Sequence, residues 1–433
     1  MAGPPAQPRG DTVRTSKLAG GFVLAALLAV STACGSSDSG SESDSSASAS
    51  QKAALTGGKA ADKSKTPVTI GFHNLEGGAI SLADVRLGFE AGVKYINEQL
   101  GGIDGHPLKT INCKTDGTPE ASVNCANQFV EQKAVLAVQG ADFGADAMIP
   151  VLKSAGVAEL GNFPLTPGMN SAVGDAYFMQ GSAQEGYAAN LVQLQRLGAS
   201  KVAVVLVDNP ASHDTYRSVI EPAATKLKLT TKVFYVPAQS DWTVQSATVL
   251  AWGPDAISTY VAAEGLAAVP AFRSAGFSGY ITAGANTEII PQLDPGVLQK
   301  VLFSAPYYLP EFADPPAKVK KDLDIFEAYT SNLPKKGSVT QRQTGFYTAL
   351  MAGQLLRDVG AKTSPLTAQA VHSGLRTWKG EREPFRLNGW DCSAATWPGT
   401  TACGFGNVYA TPGKDRVLEP LPDQPVDMSA VLP

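Results

Sequence analysis

Val68-Thr69-Ile70-Gly71-Phe72, the run from Leu82 to Leu100, and Leu108-Lys109-Thr110-Ile111-Asn112-Cys113 are the stretch that decides the fold. The first is short, β-branched and apolar behind Pro67, and reads as a buried strand. In the second, Leu82, Val85, Phe89, Val93, Ile96 and Leu100 recur at three- and four-residue steps. That spacing puts them on one apolar face of an amphipathic helix. Ser81 stands where a cap would sit, and Gly101-Gly102 where the helix would end. Asp104-Gly105 supplies a turn, and the third run is a strand again.

Working outward, the alternation continues. Helices are predicted over 119–133 and 146–155, and strands over 134–138 and 157–160. The pattern restarts near Gln184 with a helix to Leu197, the buried strand Lys201 to Val207, and a helix over 214–226. Strands at 231–235, 256–260, 280–283 and 301–304 alternate with helices at 242–250 and 265–275. Such alternation is the signature of βαβ units on parallel sheets. Three helices follow, over 317–332, 342–359 and 365–375, before a tail rich in Gly, Pro and Cys. Residues 67–433 exceed what one hydrophobic core usually manages, so two lobes are expected. No internal repeat is visible in the sequence.

The N-terminal segment sets the expected compartment. Arg9, Arg14 and Lys17 precede an apolar run from Leu18 to Val30, which is shorter than the roughly 20 residues of a membrane span. Residues 1–33 therefore read as a signal peptide. Ser31-Thr32-Ala33 ahead of Cys34 resembles a bacterial lipobox, although Ser31 replaces the usual Leu; the resemblance implies cleavage before Cys34 and its acylation. From Gly35 to about Lys65 the chain is Ser, Gly, Ala, Asp and Lys, a composition that cannot offset its ordering entropy and forms a tether. The expected form is thus extracytoplasmic, held to the outer face of the cell membrane by a lipid on Cys34, with residues 34–66 as lipidated Cys and tether. Net charge is −4, and −6 once residues 1–33 are removed, with no basic cluster for nucleic acid.

Apart from Cys34, the cysteines form two close pairs, Cys113 with Cys125 and Cys392 with Cys403. In an oxidising compartment each pair is expected to be a local disulfide, one of three formal pairings. No two of His73, His106, His213 and His372 stand at metal-ligand spacing, and no nucleophile elbow, P-loop or dinucleotide fingerprint is present. An enzyme, a metal and a cofactor are therefore not expected.

One block is more specific than periodicity. Gly88-Phe89-Glu90-Ala91-Gly92-Val93-Lys94-Tyr95-Ile96-Asn97-Glu98-Gln99-Leu100-Gly101-Gly102-Ile103-Asp104-Gly105-His106-Pro107-Leu108 contains I-N-x-x-x-G-G-I-x-G-x-x-L. It resembles the first helix and turn of the leucine/isoleucine/valine-binding protein family, the type I periplasmic binding fold. Asp116, Ala134 to Gly140, Lys201 to Val207 and Ser240-Asp241-Trp242-Thr243 continue the likeness over about 67–360. The resemblance implies two Rossmann-like α/β lobes joined by a three-crossing hinge, one about 67–183 and 310–376, the other about 184–309 and 377–433. It also implies a monomeric binder that closes on a small molecule and is recognised by an ABC permease with its ATPase. The alternatives are a ligand-sensing lipoprotein of the same fold, or a binder of a small amide or carboxylate.

Ligands of open α/β sheets bind beyond the carboxyl ends of the strands, where helix N-termini offer free N–H groups. The expected contacts in the first lobe are Asn74, then Asp142, Phe143 and Gly144, then Gly161, Asn162 and Phe163. In amino-acid-binding relatives the last two loops grip the α-carboxylate. In the second lobe the expected contacts are Asn209, His213, Tyr260, Glu264 and Asn286. Asn286 stands nearest the acidic residue that holds the ammonium in relatives, and it is neutral; Asp142 would repel a carboxylate unless it points away. Both departures bear on an amino-acid ligand. Each residue also has a plain structural reading: Phe143 and Phe163 as core, Glu264 as a first-turn helix charge, His213 as a helix-opening surface residue, Asn74 and Asn209 as turn residues.

Overall fold

The computed structural model describes residues 58–433 apart from 79, 182, 238–239, 260–263, 285–289, 335, 398, 414 and 433; side chains 183, 184 and 264–266 are likewise not described. The signal peptide, Cys34 and most of the tether lie outside these residues. No helix among them is long and apolar enough to cross a membrane.

The chain is α/β, as expected. The first sheet contains β1 (Val68–Leu75), β2 (Leu108–Thr115), β3 (Ala137–Ala141), β4 (Glu159–Gly161) and β5 (Ala176–Phe178), all parallel in the order β2-β1-β3-β4-β5. The second contains β6 (Lys201–Val207), β7 (Thr230–Val236), β8 (Ala256–Thr259), β9 (Tyr280–Gly284) and β10 (Val301–Ala305), parallel in the order β7-β6-β8-β9-β10. Counted from its own first strand, each sheet is a 2-1-3-4-5 doubly wound unit, whose switch point lies between its first and third strands. The duplication is topological and leaves no trace in the sequence. Two antiparallel strands from the tail, β13 (Val408–Pro412) and β14 (Leu418–Pro420), extend the second sheet beyond β10, while β11 (Lys379–Gly380) and β12 (Trp390–Asp391) form a small hairpin.

The helices are α1 (Ala83–Gln99), α2 (Pro119–Glu131), α3 (Ile149–Ser154), α4 (Pro167–Ser171), α5 (Ala183–Arg196), α6 (Pro210–Thr215), α7 (Glu221–Lys226), α8 (Trp242–Leu250), α9 (Glu264–Ser274), α10 (Ala317–Thr330), α11 (Val339–Gly360) and α12 (Ala368–Leu375). Three differ instructively from expectation. α1 begins after Leu82 with no side-chain cap, because the Leu82 N–H is tied to Leu75 O and starts the helix beyond Ser81. The expected helix at 146–155 is a 3₁₀ turn, Ala145–Ala147, followed by the short α3 with Pro150 in its first turn. The helix placed at 214–226 starts at Pro210, since Asn209 caps it and proline suits the first helical position; a π turn, Tyr216–Ile220, joins α6 to α7. β3 also begins three residues late, because Ala134 N–H still closes onto Phe129 O and Lys133 takes a left-handed φ of 57°.

α1 and α11 pack on the face of the first sheet that carries Phe72, which stacks on Phe89 at 4.0 Å. Their contact depends on glycine. A Cβ on Gly88 would stand 1.9 Å from Arg342 O, and one on Gly345 would stand 1.8 Å from Val85 O. The two backbones therefore approach closer than any side chain would allow. α10 packs on α1 and α12 on α11, so chain beyond 316 returns to the first sheet.

The chain passes between the sheets three times: after β5, after β10, and between α12 and β13. The third passage also lies along β5, where Phe178 N–H donates to Thr401 O at 2.9 Å and Cys403 N–H donates to Phe178 O at 2.7 Å. All three passages meet at Arg386, which is fully buried. Its Nε donates to Pro306 O at 2.7 Å and its Nη1 to Met179 O at 3.4 Å. Both expected disulfides are present. Cys113–Cys125 ties β2 to α2, and Cys392–Cys403 closes the third passage.

Candidate functional site

Parallel strands β1, β3 and β4 bring Asn74, the Asp142–Gly144 loop and the Gly161–Phe163 loop to one sheet edge, beside the switch point. Asn74 follows a register shift between β1 and β3. Its Nδ2 donates to Leu82 O at 2.9 Å and Glu76 Oε1 at 3.0 Å, which pins the β1–α1 loop, and its buried Oδ1 has no partner among the described residues.

Asp142 does not face outward. Its Oδ2 sits 3.1 Å from His73 Nδ1 and accepts from Ser122 Oγ at 2.7 Å, while Oδ1 accepts from Gly144 N–H at 3.0 Å. His73 Nε2 reaches Glu159 Oε1 at 3.1 Å, so a buried imidazole bridges two buried carboxylates. Burial alone would lower the His73 pKa, but hydrogen bonds and charge from Asp142 and Glu159 overcome it and raise it to about 9. Burial likewise works against the Asp142 carboxylate, and His73, Ser122 and the Gly144 N–H outweigh it and lower its pKa. The Asp142 carboxylate is thus turned inward onto His73, Ser122 and the Gly144 N–H, and the imidazole that balances its charge is shared with Glu159.

Phe143 and Phe163, half-exposed at 48% and 39%, stand on the neighbouring loops after β3 and β4 rather than in the core. The glycines between them have packing reasons. A Cβ on Gly144 would stand 2.3 Å from Thr118 O, and one on Gly161 would stand 2.5 Å from the Phe178 ring. Asn162 is buried; its Oδ1 accepts from Gln180 Nε2 at 2.5 Å, and its Nδ2 has no acceptor.

Gln180 leads into the first passage and to a residue that sequence reasoning missed. Glu185, in the first turn of α5, is buried, and among the described residues neither carboxylate oxygen is hydrogen-bonded. Burial pushes its pKa up to about 8. Its carboxyl lies against Gly181, where any Cβ would overlap it. In sequence Glu185 looks like an ordinary first-turn helix acid, so nothing could have singled it out. Asn162, Gln180 and Glu185 thus carry buried polar side chains from the tip of β4 into the first passage, with one donor and one acid unpaired among the described residues.

On the second sheet, Asn209 and His213 have local roles. Asn209 Oδ1 accepts from Ser212 N–H at 2.9 Å and caps α6. His213 lies within α6 rather than opening a helix; its Nε2 is 2.8 Å from Asp208 Oδ1 and its ring stacks on Tyr235 at 3.8 Å. Tyr260 and Asn286 lie outside the described residues, as does the Glu264 side chain, although Glu264 begins α9.

The fold is thus a pair of doubly wound sheets, with the loops after β1, β3 and β4 gathered at one sheet edge. The family model for periplasmic binding proteins matches residues 67–397, and the chain belongs to that family. No curated protein matches the sequence. Among solved structures, an extracellular ligand-binding receptor from Verminephrobacter eiseniae is 16% identical with a TM-score of 0.64, covering 82% of this chain and 99% of its own. An ABC-transporter solute-binding protein from R. palustris in complex with 4-hydroxybenzoate is 14% identical with a TM-score of 0.61, covering 83% and 98%. An ABC-transporter substrate-binding protein from Desulfitobacterium hafniense in complex with Leu is 16% identical with a TM-score of 0.59, covering 82% and 100%. At these identities the likeness is one of fold.

Proposed function

We propose that the chain is the extracytoplasmic solute-binding component of an ABC importer, which closes its two lobes on one small molecule and delivers it to a permease and ATPase. The observation that carries this is the pair of 2-1-3-4-5 sheets linked by three passages that meet at Arg386. Such sheets present ligand edges at their switch points, and a linker of this kind allows hinge closure. The solved relatives in complex with Leu and 4-hydroxybenzoate support a small-molecule ligand. In this reading lobe one comprises about 67–183 and 310–376, lobe two about 184–309 and 377–433. Residues 1–33 are removed, Cys34 carries the lipid, and the mature protein is a monomer.

Asn74, Asn162 and the loop N–H groups after β3 and β4 form the polar half of the proposed site, and Tyr260, Glu264 and Asn286 belong to its second-lobe half. A branched-chain or other amino acid is the first reading of the ligand. An aromatic carboxylate is the second, favoured by the outward-facing Phe143 and Phe163 and by the inward turn of Asp142. A thermal-shift panel of amino acids, amides, small carboxylates, aromatic acids and sugars tests the proposal, because binding to the native state raises the midpoint. A shift with leucine, isoleucine or valine supports the first reading, and a shift with aromatic acids alone supports the second. A flat response to every solute counts against small-molecule capture.

A further inference from the structure

A second recess lies on the helical face of the first sheet. β1 runs toward the ligand edge and α1 returns from it, so the end of α1 lies at the far end of the sheet. α11 runs beside α1 in the same direction, since Gly345 meets Val85 and Gly353 meets Ile96. Its last turns, with Arg357, are therefore remote from the ligand edge. There α1, α10, α11 and the β11–β12 hairpin line a half-open cavity of about 380 Å³. Tyr95, Ile325, Met351 and Trp390 provide apolar wall, Arg357 and Arg382 provide positive charge, and Asp322 is the one acid in the lining.

The two arginines differ. Arg382 is already engaged, donating to both oxygens of Asp322 at 2.7 and 3.1 Å. Arg357 donates through Nη2 to Gln354 Oε1 at 3.1 Å, but its Nη1 is buried with no acceptor. It forms no ion pair among the described residues. The adjacent Asp358 is occupied by Gln354 Nε2 at 2.7 Å and Trp378 Nε1 at 2.9 Å. The buried Trp390 indole N–H also lacks an acceptor. The charges of Asp358 and Asp104 lie close enough to act on this guanidinium, but neither accepts from Nη1, and a carboxylate is the group that matches its free edge.

We propose that this cavity binds a small carboxylate with a compact apolar body, its carboxylate on Arg357 and its body against Tyr95, Met351 and Trp390. The volume lies within the range of small-molecule sites. The site is independent of the solute assigned to the ligand edge. Its ligand takes the form of an aromatic or branched aliphatic acid.

Sodium benzoate is the probe, titrated into the purified protein and followed by tryptophan fluorescence. Saturable binding is expected, with affinity reduced roughly tenfold or more in Arg357→Met and less in Arg357→Lys. Should Arg357→Met fail to fold by circular dichroism, Ile325→Trp, which fills the cavity and keeps the arginine, serves in its place with the same expected loss. Benzoate binding that survives the folded variant unchanged assigns benzoate to the ligand edge and overturns the proposal. Absence of saturable binding to the wild type overturns it as well.

Discussion

Arg386 Nη1 donates to Glu383 Oε2 at 2.8 Å, and neither side chain reaches solvent. Tyr347 from α11 donates its hydroxyl to the same oxygen, and the Tyr307 ring lies 5.5 Å from Tyr347. Through this pair the helices of the first sheet hold the third passage, and Arg386 holds the other two. Desolvation offsets much of the attraction in a buried ion pair, so the pair shows its value chiefly when one partner is lost.

Removing one partner leaves the other as a lone buried charge. Arg386→Met is expected to lower unfolding free energy by about 3–5 kcal/mol in urea titrations. The double variant Arg386→Met/Glu383→Met is expected to recover part of that loss. A double-mutant loss equal to the sum of the single ones would show that the pair is not coupled.

The buried acid and the buried histidine give a pH dependence of definite sign. The Glu185 pKa is raised from 4.5 to about 8, so the folded state favours its protonated form, and stability falls as pH rises through that window. The His73 pKa is raised from 6.5 to about 9, so its contribution is complete below 6.5 and is lost as pH rises toward 9. Wild-type stability is therefore expected to drop on going from about pH 6 to pH 9. Glu185→Gln should remove the part of the drop that belongs to Glu185, about 3 kcal/mol, since only the two pH units between pH 6 and its raised pKa of about 8 fall in this window. Urea unfolding of both proteins across that range makes the comparison.

Gly345→Ala is expected to push α11 off α1, because the obstructing atom is a backbone carbonyl and cannot swing aside. Overpacking of this kind costs about 1–3 kcal/mol. A surface change such as Lys320→Ala should stay within about 0.5 kcal/mol, and thermal unfolding separates the two.

Intact-mass analysis after alkylation without reductant should show Cys113, Cys125, Cys392 and Cys403 unmodified. Replacing Cys113 and Cys125 by Ala is expected to cost about 3 kcal/mol, the entropy of the loop they close.

Much of the fold was legible. Long amphipathic helices such as α1 and α10, and buried runs such as β6, carry periodicities that leave little choice. β5 is three residues long and β13 and β14 lie in a Gly- and Pro-rich tail, so no period marks them. Asn209-Pro210 carries a helix-start signal in the sequence, and the same pair is equally compatible with a turn until the cap to Ser212 N–H is seen. The candidate site was legible as a set of loops and not as a set of side-chain directions. Asp142 turns inward because His73 and Glu159 lie on the neighbouring strands β1 and β4, a pairing that only the sheet order creates. Arg386 was invisible for the same reason: Met179 and Pro306 are distant in sequence and meet it only where the passages converge.

The most direct test is a calorimetric titration of the best solute from the thermal-shift panel into wild type, Asn162→Ala and Phe163→Ala. The account predicts one solute per chain and at least about a tenfold loss of affinity in each variant, since a tenfold change is about 1.4 kcal/mol and one lost polar or aromatic contact suffices. Wild-type affinity retained in both variants would contradict it and move the binding site away from the β3–β4 edge.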